Sequence, residues 1–147
     1  MTIDADAERQ LAIELFNLTW ELLESPSRTA QDDDRMVHAA HGSRHHWGQV
    51  GGPENLVRGE WQCSRVYAVL GRAEPAIHHG QRCLVLCVQN DIGDFDLAYA
   101  YEALARAHGV AGDHQASGRF AQLAREAGER IAGTDDREQF QRDLAAL

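Results

Sequence analysis

Apolar residues recur along this chain every three to four positions, and no stretch alternates apolar with polar residues as a half-buried strand would. The first run places Leu11, Leu15, Leu18 and Leu22 on one face, widened by Phe16 and Leu23, and predicts a helix from about Ala5 to Glu24. Ser25-Pro26-Ser27 stops it, because proline removes a backbone donor and restricts the residue before it. A second helix is expected from about Thr29 to Gly48. Asp32, Asp33 and Asp34 lie near the positive end of its dipole, and Met36, Ala40 and Trp47 form its apolar edge. Gly51 and Gly52 break it, and Pro53 suits the first turn of a third helix reaching about Leu70. That helix carries two stripes, Leu56–Cys63–Val66–Leu70 and Val57–Trp61–Ala68, so it should pack on two sides.

A fourth helix spans about Glu74 to Asn90, with Ile77, Leu84 and Val88 on its apolar side. A fifth follows from Phe95 to Val110, with Asp94 as its expected cap. A sixth runs from His114 to Ala132 behind Asp113, and a short seventh from Asp136 to Leu147, where Asp135 and Glu138 have capping-box spacing. Seven helices with short connections favour antiparallel neighbours.

Two of the helix pairs read alike. Tyr67 is followed by Gly71, Ala76 and Cys83; His108 is followed by Gly112, Ser117 and Ala124. A bulky residue, a turn glycine and two small residues recur at the same offsets. This layout resembles a tetratricopeptide repeat, in which the glycine makes the turn and the small residues allow close helix contact. The match covers residues 53–132 and departs from the family pattern: Glu60 stands one place before Trp61 where the family has its tryptophan, Gly80 and Ala121 replace an aromatic, and the turn glycines are 41 residues apart rather than about 34. The blocks from His41 to Trp47, Gly59 to Gly71 and Gly93 to Glu102 also resemble uncharacterised bacterial proteins, a likeness that implies no reaction. The resemblance implies an all-α fold with three antiparallel pairs (5–48, 53–90 and 94–132) stacked as a short right-handed superhelix, closed by a capping helix at 134–147. The alternative is an irregular helical bundle.

The length, 147 residues, fits a single domain spanning 1–147. No apolar run approaches a membrane span, and the acidic N-terminus lacks a signal-peptide layout, so a cytoplasmic protein is expected. The net charge of −9 disfavours non-specific binding to nucleic acid. It is unevenly spread: residues 1–34 hold nine acids and two arginines, 35–82 three acids and six arginines, and 83–147 eleven acids and six arginines. All 14 basic residues are arginine. Cys63, Cys83 and Cys87 are too few and wrongly spaced for a thiolate metal site and read as small buried hydrophobes.

Two constellations could carry function. On the third helix Arg58, Gln62 and Arg65 share a face, and on the fifth Tyr99, Glu102 and Arg106 do so. In a repeat stack these faces would line one concave groove, binding a peptide or protein partner, an acidic one included, or a second copy of the chain. Equally, Arg65–Glu102 ion pairs could simply knit the stack together. The rival constellation is His38, His41 and His45, spaced to share a helical face and able in principle to hold Zn²⁺ or a small ligand. A zincin would need a glutamate at position 42, which is Gly42. No nucleophile elbow or phosphate loop is present, so no catalytic residue and no cofactor is assigned.

Overall fold

The computed structural model describes residues 2–147, and the described residues form seven α-helices and no strand. They are α1 (Ala5–Glu24), α2 (Ala30–Val50), α3 (Pro53–Val69), α4 (Ala73–Gln89), α5 (Asp94–Val110), α6 (His114–Glu129) and α7 (Thr134–Ala145). Each helix packs against its successor up to α6–α7. In addition α1 touches α3, α3 touches α5, and α5 touches α7. Three hairpins therefore stack in chain order, with α7 against the last.

Chain punctuation explains most of the boundaries. Thr29 accepts the Asp32 amide at 3.1 Å while Asp32 accepts the Thr29 amide at 3.0 Å, a reciprocal cap. Asp113 accepts from the Ala116 amide at 3.0 Å, as expected of a cap. The capping box expected at Asp135 does not form: α7 begins two residues earlier, at Thr134, with Gly133 as a cap that has no side chain to offer. Asp94 enters α5 itself, with φ +52°, leaving Gly93 as the cap.

The turns after α3 and α5 share one geometry. The Arg72 amide donates to the Tyr67 carbonyl at 2.9 Å and the Gly71 amide to Ala68 at 3.1 Å. The Asp113 amide donates to His108 at 3.0 Å and the Gly112 amide to Gly109 at 3.1 Å. These are Schellman turns, and they need a left-handed residue: Gly71 has φ +74° and Gly112 +78°. The likeness extends into the helices. Tyr67 and His79 stack with ring planes 9° apart, and His108 and Phe120, each 41 residues later, stack at 10°. Ser64 donates to the Ala76 carbonyl at 2.7 Å; at the equivalent place Ser117 donates to the Ala105 carbonyl at 2.8 Å, the same link with the serine on the other helix.

The core is built from small residues. Met36, Cys63 and Val66 join α1 to α3, while Val57, Cys83, Cys87 and Ala100 join α3 to α5. On α5 the residues Ala98, Ala100, Ala103, Ala105 and Ala107 are all buried. This helix touches α3, α4, α6 and α7, and side chains of that size let four neighbours approach. The cysteines are free and buried, as their spacing suggested. Burial pushes the Cys63 thiol up to about 12, which removes it as a nucleophile at neutral pH.

Candidate functional site

The first helices of the three hairpins, α1, α3 and α5, together with α7 line a groove of about 510 Å³. Its walls are aromatic. Phe16 and Trp20 come from α1, Val57 and Trp61 from α3, Phe95 and Tyr99 from α5. Each helix contributes two residues four apart, so one helical face per hairpin looks into the groove. The rings form a continuous ladder: Phe16–Trp20 at 6.5 Å, Trp20–Trp61 at 5.6 Å, Trp61–Tyr99 at 5.8 Å and Tyr99–Phe140 at 4.8 Å between centroids. Edge-to-face contacts within it fix the rings before anything binds.

Polar groups enter at three points. Arg58 forks onto Asp96, with Nε at 3.1 Å from Oδ1 and Nη2 at 3.3 Å from Oδ2. The Tyr99 hydroxyl donates to Asp143 on α7 at 2.5 Å. Gln139 donates to the other oxygen of Asp143 at 3.0 Å. The groove thus holds one arginine and two aspartates, with the arginine committed to one of them.

The six residues expected in a basic groove therefore divide. Arg58 and Tyr99 line it. Gln62 is fully buried instead and donates to the Phe16 carbonyl at 3.1 Å, tying α3 to α1. Glu102 is 1% exposed and is bound by Arg106 through both Nε and Nη2. Burial raises the Glu102 pKa, and the charges of Arg106 and Arg65 oppose that rise. Burial, with Arg106 beside it, lowers the pKa of Arg65, which makes no ion pair among the described residues. Beneath the groove Trp61 Nε1, Gln62 Oε1 and Glu102 Oε2 lack a hydrogen-bond partner. The spacing of these residues reported a shared face correctly; it carried no information about the carboxylates that neighbouring helices bring to that face. Sequence reading assigned Phe16, Val57 and Trp61 to the core and left Trp20 unplaced. The signal that finds them is the apolar pair at i, i+4 recurring on α1, α3 and α5.

The histidines also divide. His41 lies against α3 and α4: its Nε2 is 2.8 Å from the Tyr67 hydroxyl and its ring 5.2 Å from that of His79. Burial, then the charge of His79, lowers its pKa. His79 in turn bonds Glu60 at 2.7 Å, and Arg44 reaches the other Glu60 oxygen at 3.3 Å. His38 is exposed. His45 sits instead with His46 and Glu8 on the α1 side. His38 and His45 are seven residues apart, about 10 Å along the helix axis, too far to share one ion without a bend. Among the described residues, metal-ligating atoms gather at Glu8, His45 and His46, a group that includes neither His38 nor His41.

Compared with family models, curated proteins and solved structures, the chain matches none. No helix among the described residues is long and apolar enough to cross a membrane.

Proposed function

We propose that this chain is a non-enzymatic interaction module that holds a segment of a peptide or protein partner in the aromatic groove of a tetratricopeptide-like stack. The observation that carries this reading is the preorganised ring ladder across α1, α3, α5 and α7, left open over about 510 Å³. Half-buried aromatic walls rimmed by a few polar groups are what partner segments with apolar anchors fill. Support for the repeat kinship comes from the two Schellman turns and the ring stacks 41 residues apart, and from a groove lined by the first helix of each pair. The three free, buried cysteines suit a cytoplasmic setting.

The polar content shifts the expected partner. Arg58 and Arg106 are held by Asp96 and Glu102, and Arg65 does not line the groove, so no unpaired arginine faces an acidic partner there. Affinity is assigned to apolar anchors, with Asp96, Asp143 and Gln139 setting orientation. The groove volume also falls in the range of small-molecule pockets, so a compact apolar ligand is the second reading.

Selection from a random peptide display library tests the proposal. Recovered peptides should share aromatic or aliphatic anchors and lose binding to Trp61→Ala and to Trp20→Ala. Enrichment that is equal on both variants would count against it. If the occupant is a second copy of the chain, sedimentation will show a concentration-dependent dimer that Trp20→Ala dissolves.

A further inference from the structure

A second cluster lies on the α1–α2 hairpin, and none of its residues lines the groove. One ligand atom each of Glu8, His45 and His46 falls within 4.8 Å of the others. We propose that these three residues form a binding site for a divalent late first-row transition ion such as Zn²⁺. Two imidazoles and one carboxylate are a donor set that such ions accept, with the remaining positions left to water.

The geometry is close to what an ion needs. His46 Nδ1 and Glu8 Oε2 are 2.9 Å apart, a hydrogen bond in the ion-free chain. Ligand atoms on a tetrahedral ion with bonds of about 2.0 Å stand roughly 3.3 Å apart. That pair must open by a few tenths of an ångström, and the third nitrogen must move in. His45 is the residue that can move, because its side chain is exposed, and its ring already lies 5.3 Å from that of His46.

The scaffold is fixed on both sides. One turn away, the buried Ser43 hydroxyl donates to the Ala12 carbonyl at 2.8 Å. In the other direction Arg9 donates to the Val50 carbonyl at 2.9 Å. That bond and the Trp47 ring, 5.6 Å away, hold the Arg9 guanidinium, which makes no ion pair with Glu8. Glu8 is 9% exposed and, among the described residues, its carboxylate has His46 as its one side-chain partner; an ion can take the proton's place between them. Binding then takes the proton off Nδ1: a neutral imidazole carries it on Nε2 instead, and an imidazolium gives it to solvent.

Calorimetric titration of the tag-free, metal-free chain with Zn²⁺, checked by visible absorption with Co²⁺, tests the site. One ion per chain should bind saturably. His45→Ala and Glu8→Gln should each weaken binding about tenfold or more, and His38→Ala should leave it unchanged. His45→Ala removes an exposed side chain, so its thermal unfolding without metal should match that of the parent chain. Absence of saturable binding would overturn the proposal, as would an affinity equal to the parent chain's in Glu8→Gln or His45→Ala, or loss of binding in His38→Ala.

Discussion

Tyr99 on α5 donates its hydroxyl to Asp143 on α7, and this bond holds the last helix against the groove wall. The same tyrosine packs edge-on against Phe140, 4.8 Å between centroids, so α7 is anchored by one polar and one apolar contact of a single residue.

Tyr99→Phe keeps the ring and removes the bond. A hydrogen bond to a charged group contributes about 1.5–3 kcal/mol at most, less where partly exposed, so a loss near the lower end is expected. Amide exchange should accelerate in α7 and stay unchanged in α1–α4. Burial, then the hydrogen bond to Asp143 and its charge, raises the Tyr99 pKa. The native chain thus favours the protonated phenol, and this contribution is complete below the ordinary tyrosine value of about 10 and fades as pH rises beyond it. Exchange in α7 should therefore show an alkaline acceleration, beyond the intrinsic rate, that Tyr99→Phe lacks.

Gly128 lies against Phe140: a Cβ there would fall 2.6 Å from the ring. Gly128→Ala should cost about 1–3 kcal/mol through overpacking between α6 and α7. Gly118, on the same helix, has nothing within 4 Å of an added Cβ. Gly118→Ala should stabilise by about 0.5–1 kcal/mol through helix propensity. Urea unfolding of the two variants should move in opposite directions.

The paired turns make a matched prediction. Gly71 and Gly112 adopt left-handed φ with open space around them, so alanine meets only backbone strain. Each substitution should cost about 1–2 kcal/mol, and the two costs should agree within a few tenths. A large difference in urea midpoint between Gly71→Ala and Gly112→Ala would break the equivalence of the two hairpins.

His41 makes stability depend on pH. Its lowered native pKa means the unfolded chain binds this proton more readily, so stability rises with pH through about 6.5 and falls on acidification. His41→Gln, which keeps a polar group facing Tyr67, should flatten the change in urea midpoint between pH 5 and 7.5 relative to the parent chain. An unchanged slope would show that other histidines carry the effect.

The helices were legible in the sequence because proline, glycine and capping residues punctuate them. The stack was legible as far as Gly71 and Gly112, whose turns the chain repeats with the rings beside them. The groove was not. Arg58 lies 38 residues from Asp96 and Tyr99 lies 44 from Asp143, and helical spacing carries no information about such pairs. It also cannot separate an aromatic stripe that fills a core from one that faces a gap, because both demand the same periodicity. The histidines failed as a trio for a related reason. One face of α2 is shared between α1 and α3, so neighbours in sequence were given different partners.

The tryptophans offer the most direct test of the groove. Trp20 and Trp61 line it, while Trp47, beneath Arg9, lines a smaller adjoining cavity. Indole N–H signals in a ¹⁵N–¹H spectrum, followed as a display-selected peptide is added, report on each separately. The account predicts that the Trp20 and Trp61 signals shift with one common affinity while Trp47 stays in place. Binding that moves Trp47 alone, or leaves all three unmoved, would contradict it.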